Sequence, residues 1–349
     1  MLGARLPRIP IGTWPTPIQR LNNFEHELPV ASLWVKREDL SDPQCGGNKL
    51  RGLEFLLADA ERHRARALLT FGAAGSYHVR ATVLAGRRLG FDVSALLLPQ
   101  PNAEYVRRNI VIARAAGARL VPVRAPLLPL AIAREWLHAR PYIIPPGGTS
   151  PLSSIGQVNA AFELRDAVRS GTLPEPDYLF VALGSLGTAA GLALGCKLSG
   201  LKTRVVGVTV FARWYCTPAR IARHTGRIAR LMRALDPNVP KVRLVPEDVV
   251  VLGQHLGRGY AQFTQDGLEA ARQLRETEAL MLDGTYTAKA YSGALEYLRA
   301  HGQQNPHGLI WHTYLHLPAP PWSAADVERL PRALQAYFRQ PLQPLDIEP

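Results

Sequence analysis

Residues 178–195 read YLFVALGSLGTAAGLALG, and the fold turns on how this stretch is read. Its first six residues are apolar or aromatic and suit a short buried strand. GSLGT then breaks the run, and a series of small residues opens a helical pattern. A strand that feeds a helix across a glycine turn is the repeating unit of an α/β protein with a largely parallel sheet. The turn also carries chemistry. The first N–H groups of a helix lack intrahelical acceptors, and the helix dipole adds positive potential there. Residues 185–189 therefore predict an anion site, to which Ser185 and Thr188 add hydroxyl donors.

The same pattern recurs on both sides. Strand-like runs are ALLTFG (67–72), VSALLLP (93–99), RLVPV (119–123), YIIPPGG (142–148), RVVGVTV (204–210) and GLIWHT (308–313). Helical spacing covers 50–65, 78–89, 103–116, 154–169, 187–198 and 264–276. No fixed-period repeat or low-complexity tract interrupts them. The units fall into two groups, one within 50–165 and one from 166 onward. TLPEPD (172–177) reads as a surface link, and QPLQPLDIEP (340–349) as a frayed end. Open α/β sheets bind ligands at the carboxyl ends of their strands, so the loops there are the places to search.

Composition narrows the function classes. The chain has 349 residues, 47% hydrophobic and 20% charged, which excludes a disordered or coiled-coil protein. No apolar run reaches the ~18–20 residues of a membrane span. The N-terminal MLGARLPRIPIG lacks the apolar stretch of a secretory signal. Three cysteines without a CxxC pair suit a reducing compartment and argue against a disulfide scaffold. The net charge of +13 raises the question of nucleic acid. Yet 35 of the 41 basic residues are arginines, and they are scattered. Only Arg220, Arg223, Arg227, Arg230 and Arg233 share one helix face, which reads as a solvated or interface face rather than a phosphate-tracking stripe. No metal site is expected, because HExxH and zinc-like Cys/His spacing are absent.

Several segments carry candidate chemistry. In CGGNKLRGLEFL (45–56) two glycines precede Lys49 at a helix start. Lysine is rare here, and one held away from water at a helix N-terminus loses basicity and becomes a nucleophile. The plain alternative is a solvated first-turn lysine. TFGAAGSYHVRATVLAG (70–86) places Ser76, Tyr77 and His78 at another strand–turn–helix junction, where a carboxylate fits. GSYH is not the GxSxG of a serine hydrolase. LMLDGTYTAKAYSGALEYL (280–298) sets Tyr286 and Thr287 between a short strand and a helix. GLIWHTYLH (308–316) ends a strand at His312 and Thr313, and GRGYAQFTQDG (257–267) carries Tyr260. Two phosphate motifs fail. There is no GxxxxGK[ST], and the strand after GSLGT ends GVTVFARW (207–214) without the acidic residue that a dinucleotide needs. A monophosphate cofactor fits better.

Together, and in order, these segments resemble the pyridoxal-phosphate enzymes that include 1-aminocyclopropane-1-carboxylate deaminase and D-cysteine desulfhydrase. The resemblance spans about residues 16–313. It rests on WVKREDLSD with CGGNKLRGLEFLLADA, on YIIPPGGTSPLSSIGQVNAAFEL, on GSLGTAAGL, on GYAQFTQDGLEAA and on LDGTYTAKAYSGALEYL. It implies a two-domain, fold type II α/β architecture similar to the tryptophan synthase β subunit. A small domain near 50–165 would be inserted in a large domain of 1–49 plus 166–349. It further implies pyridoxal 5'-phosphate as cofactor, a small amino-acid substrate and a cytoplasmic homodimer; the lack of a spanning run argues against a membrane, and a nucleic-acid or anion binder using the Arg220–Arg233 face is the least favoured reading.

Carried over residue by residue, the resemblance makes Lys49 the Schiff-base lysine and the shuttle for the Cα proton. Gly184, Ser185, Leu186, Gly187 and Thr188 would bind the cofactor phosphate, and Thr313 the pyridine nitrogen. Ser76, Tyr77 and His78 match the segment that holds the substrate carboxylate, and Tyr286 and Tyr260 match two active-site tyrosines. The departures are specific. Gln-Ser-Asn-His becomes Gly75-Ser76-Tyr77-His78, replacing the asparagine that contacts the cofactor ring oxygen. Gly-Gly after His312-Thr313 becomes Tyr314-Leu315, and Tyr-Thr-Gly-Lys becomes Tyr286-Thr287-Ala288-Lys289. Cyclopropane deaminases carry Glu where Thr287 stands. The resemblance thus implies a lyase most like D-cysteine desulfhydrase, releasing sulfide, keto acid and ammonia. Cyclopropane-acid deamination and a catalytically altered, cofactor-binding relative are the alternatives.

Overall fold

The computed structural model describes residues 6–346. The strands are β1 Ile18–Arg20, β2 Ser32–Arg37, β3 Ala67–Ala73, β4 Asp92–Leu98, β5 Arg119–Pro122, β6 Tyr142–Ile144, β7 Tyr178–Leu183, β8 Arg204–Thr209, β9 Val249–Leu252 and β10 His307–His312. The helices are α1 Lys49–Arg62, α2 Tyr77–Arg88, α3 Glu104–Ala115, α4 Leu128–Ala139, α5 Pro151–Arg169, α6 Gly187–Ser199, α7 Pro218–Leu235, α8 Gln265–Glu278, α9 Thr287–Ala300, α10 Ala324–Glu328 and α11 Arg332–Arg339.

The strands form two sheets. A four-stranded sheet in the order β5-β4-β3-β6 is parallel throughout. A six-stranded sheet runs β1-β2-β10-β7-β8-β9 and is parallel except for its edge pair β1–β2. Parallel strands need crossover helices on both faces, which is why β7 and β8 are apolar along almost their whole length. Helices α5, α6 and α7 cover one face of the larger sheet, while α8 and α9 cover the other.

Helices α1, α5 and α6 cross unusually closely, because small residues line the crossings. A Cβ on Gly156 would collide with the carbonyl oxygen of Arg51, and one on Gly52 would stand 2.9 Å from the Ser153 side chain. One on Gly191 would come within 2.5 Å of the Gln157 side chain, and one on Gly195 within 2.5 Å of Ala161. A buried cluster locks α1 from its other side. Arg51 takes Glu38 at 2.6 Å and Glu163 at 2.8 Å, and its guanidinium lies 3.8 Å from the Trp14 ring centroid. Lys36, also buried, reaches Glu163 at 3.4 Å. This ties β2, α1 and α5 together and starts α1 at a fixed place.

Three expectations need correction. Strand β2 contains Lys36 and Arg37, so its charges masked it; Lys36 is buried because Glu163 meets it. No strand precedes Tyr286, because the Asp283 carboxylate accepts the N–H groups of Thr285, Tyr286 and Thr287 and turns the chain into α9. The C-terminal segment is docked rather than frayed up to its last described residue. Gln343 donates its N–H to the Asn102 carbonyl at 2.9 Å, and Asp346 accepts the N–H of Glu104 at 2.7 Å. Leu330, Leu334 and Tyr337 pack into the core beside the four-stranded sheet. Residues 347–349 of that tail lie outside the described residues. On α7, Arg223, Arg227, Arg230 and Arg233 are exposed, and the half-buried Arg220 stacks 5.4 Å from the Trp214 ring. No described helix is long and apolar enough to cross a membrane.

The crossing of α1 and α5 has no room for a methyl group at position 156. Gly156→Ala is expected to lower stability by ~1–3 kcal/mol, as overpacking does, read as a lower urea midpoint at unchanged slope. An unchanged midpoint would show that the helices are free to separate.

Candidate active site

The three crossing helices start close together, around one cavity. Helix α5 opens with a capping box, in which Ser150 and Ser153 serve each other's backbone N–H groups. Helix α6 opens without any cap. Its N-cap position is Leu186, held at φ +70°, and no side chain accepts from its first turn. That leaves backbone N–H groups aimed outward and strains a leucine, a pairing that marks functional turns. Helix α1 opens at Lys49, and its N-cap residue Asn48 does not cap either. Its side-chain amide crosses to donate to Thr188 Oγ1 at 2.9 Å. Gln157 on α5 donates to the Asn48 carbonyl at 2.8 Å, so all three helix starts are laced together.

Lys49 stands in this convergence. Its Nζ donates to the Gly147 carbonyl at 3.1 Å. Burial brings its amine down to about 8, and no carboxylate opposes the effect. A narrow cavity of about 20 Å3 runs from Lys49 past Asn48, Gly147, Thr149 and Ser154 to Gly187 and Thr188. Thr149 Oγ1 donates to Ser185 Oγ at 2.8 Å, which places the predicted anion loop on this cavity. Gly184 directly follows β7 and begins that loop. Thr313, just past β10, backs onto the turn that leads into Lys49: a Cβ on Gly47 would stand 2.9 Å from its carbonyl oxygen. His78 closes another side, with its Cε1 2.9 Å from where a Cβ on Gly148 would be. Burial, then the nearby Lys49 charge, lowers His78 to about 3, so the ring is neutral and meets an anion only by an N–H. Its Nε2 shares a 3.3 Å contact with Thr70 Oγ1.

The other candidates form a second cluster. Tyr77 and His78 are successive residues of the first turn of α2, so they diverge. His78 turns to Lys49, and the Tyr77 ring packs 5.7 Å from Tyr286, 5.5 Å from Tyr105 and 5.3 Å from Tyr314. The Tyr286 and Tyr260 hydroxyls meet at 2.5 Å. Burial raises both phenols, Tyr260 to about 12, so both carry their protons at neutral pH. Ser76 is the N-cap of α2, where its oxygen accepts the Val79 N–H at 3.4 Å. The Tyr314-Leu315 replacement ties the end of β10 to the other sheet's helices: Arg108 donates to Tyr314 Oη at 3.0 Å and Arg80 to the Leu315 carbonyl at 3.0 Å.

Sequence reasoning passed over several participants. Asn48 and Gln157 carry no local signal, because their partners lie more than a hundred residues away. Gly147 and Thr149 could have been found, since the Gly-Gly-Thr-Ser-Pro turn sits before a capped helix. Tyr105 was hidden in an ordinary helical pattern; its hydroxyl accepts from Thr285 at 2.9 Å and from Gln100 at 2.6 Å.

Comparison with known proteins gives the family. The family model for the pyridoxal-phosphate dependent enzymes matches residues 9–312, and the chain belongs to that family. Nocardicin C-9' epimerase of Nocardia uniformis subsp. tsuyamanensis is 36% identical over 328 residues, covering 89% of this chain and 93% of the relative. A crystal structure of an ACC deaminase homologue superposes with a TM-score of 0.77 at 31% identity, covering 89% and 93% of the two chains. Threonine deaminase isoform 2 from Solanum lycopersicum shares the fold, at a TM-score of 0.61 and 17% identity over 92% of this chain and 87% of that one.

The residues present fit pyridoxal phosphate. Lys49 offers an amine for the aldehyde, and the uncapped start of α6 with Ser185 and Thr188 offers donors for the phosphate. No carboxylate among the described residues lines the cavity to repel that phosphate. Lys49→Ala is expected to abolish the visible absorbance of protein mixed with the cofactor. At a pKa of about 8, roughly 10% of Lys49 is neutral at pH 7, against ~0.03% of a free lysine. The rate at which cofactor-free protein captures pyridoxal phosphate should therefore rise from pH 6 and level off above about 8. A rise that continues to pH 10 would mean the amine is solvated.

Proposed function

We propose that the protein is a lyase that removes the α-proton of a small amino acid and expels its β-substituent, most like a D-cysteine desulfhydrase. Bound pyridoxal phosphate supplies the electron sink that makes the Cα–H bond acidic. Lys49, as a neutral amine, takes that proton. The start of α2, with the Ser76 hydroxyl and the neutral His78, holds the substrate carboxylate by hydrogen bonds rather than by charge. The Tyr260–Tyr286 pair carries a proton for the leaving sulfur. In total, cysteine and water give sulfide, pyruvate and ammonia.

One observation carries the choice of elimination over cyclopropane opening. Thr287 stands where cyclopropane deaminases have a glutamate, and its hydroxyl is spent on the Asp283 carboxylate at 2.8 Å. That position therefore offers no acid, and the proton donors left are phenols. A second reading is epimerisation. It is supported by the 36% identical relative named as an epimerase, and by proton-bearing groups, Lys49 and the phenol pair, that come from different elements.

A pool of D-cysteine, L-cysteine, β-chloroalanine and 1-aminocyclopropane-1-carboxylate separates these readings. Pyruvate with sulfide from D-cysteine is the expected result. Keto acid from the cyclopropane acid alone would overturn it in favour of deamination. Deuterium uptake at Cα from heavy water without any keto acid would overturn it in favour of epimerisation. Tyr286→Phe is expected to lower kcat by at least ~100-fold, the usual weight of a positioned acid.

A further inference from the structure

The loop that carries Tyr260 does not hold its own shape. Gly257 and Gly259 have φ of +65° and +149°, and Ala261 has φ of +59°. A non-glycine residue in the left-handed region costs ~1 kcal/mol or more, so such a loop needs outside support. Its internal support is one long bond, Gln262 N–H to the Gly259 carbonyl at 3.4 Å. Two side chains remote in sequence supply the rest.

Lys289 comes from below. It is fully buried on α9, three residues after Tyr286, and its Nζ donates to the carbonyls of Leu256 at 2.8 Å and Gly259 at 3.2 Å. Gln343 comes from above, on the docked C-terminal segment. Its Nε2 donates to the Ala261 carbonyl at 3.0 Å, and its Oε1 accepts the Phe263 N–H at 3.1 Å. The carbonyls immediately before and after Tyr260 are thus both held, one by each clasp. Gln343 also gives its own N–H to the Asn102 carbonyl, at the head of α3. The clasp therefore refers the loop to the helices of the four-stranded sheet. Tyr260 itself rests with its ring edge-on to Phe211 at 5.7 Å and its hydroxyl on Tyr286.

We infer that Lys289 and Gln343 are positioning residues that together set the Tyr260 hydroxyl against that of Tyr286. Neither need touch substrate. The turn of α9 that presents Tyr286 also carries the lysine that presents its partner, so the spacing of the two hydroxyls is built into one helix. The inference deepens the proposed function and rests on its reading of the phenol pair.

Two measurements on the cofactor-loaded protein test it. The first is a mutant cycle with Tyr260→Phe. Gln343→Ala is expected to lower kcat by ~3–10-fold and Lys289→Met by more, with little change in KM. In the Tyr260→Phe background each should cost less than ~2-fold further, because residues that act through one group are not additive. The second is hydrogen exchange of the peptide containing Phe263. It should speed up in Gln343→Ala, whereas Gln343→Glu keeps the acceptor for the Phe263 N–H and should speed it less. Gln343 is partly exposed, so its variants are expected to fold even where Lys289→Met does not. Full additivity with Tyr260→Phe, or unchanged exchange in Gln343→Ala, would overturn the inference. If Tyr260→Phe leaves kcat intact, the reading of the phenol pair fails instead, and the exchange measurement still decides the clasp.

Discussion

Close approach of α1, α5 and α6 is the constraint on which the rest depends. Glycines at 52, 156, 191 and 195 let three helices pack backbone to side chain, and the three consequently begin side by side. Each start brings partial positive charge, and the three add up where Lys49, Ser185 and Thr188 meet. The same crowding keeps water from Lys49 and lowers its basicity. One packing decision thus yields both an anion site and a nucleophilic amine. Neither requires a special residue beyond a lysine at the first position of α1. The buried Arg51–Glu38–Glu163 cluster reinforces this from behind. Its charges are paired, so it fixes α1 without placing a free carboxylate near the anion site.

The second constraint lies between the two sheets. The hydroxyl of Tyr105 on α3 meets Thr285 before α9, Arg80 and Arg108 hold the chain after β10, and Gln343 joins α3 to the Tyr260 loop. These links are polar and directional rather than greasy. They set the tyrosine cluster opposite the lysine cavity. The replacement of a Gly-Gly pair by Tyr314-Leu315 belongs to this set, since Tyr314 spends its hydroxyl on Arg108 and its ring on Tyr77. Tyr77, in place of an asparagine, packs with the other tyrosines while His78 faces the lysine.

Much of this was legible in the sequence because it is local. The run from β7 through GSLGT to α6 needs only nearest neighbours, and so does the turn that delivers Lys49. Features decided by distant partners were not legible. β2 reads as charged until Glu163 is known to meet Lys36. The apolar run before Tyr286 reads as a strand until Asp283 is seen to cap α9. The tail reads as loose because nothing in QPLQP announces that Gln343 will find a loop some eighty residues away. Asn48 and Lys289 look ordinary for the same reason: their tasks are defined by backbone groups elsewhere in the chain.

Two lysines, the half-buried Lys49 and the fully buried Lys289, are both lowered to about 8, so basicity alone does not say which receives the cofactor. Geometry does, because Lys289 is enclosed by carbonyls while Lys49 opens on the anion cavity. Borohydride reduction of the cofactor-loaded protein, followed by proteolysis and mass spectrometry, tests this directly. The account requires a phosphopyridoxyl group on the peptide that carries Lys49. A label on Lys289, or none at all, would contradict it.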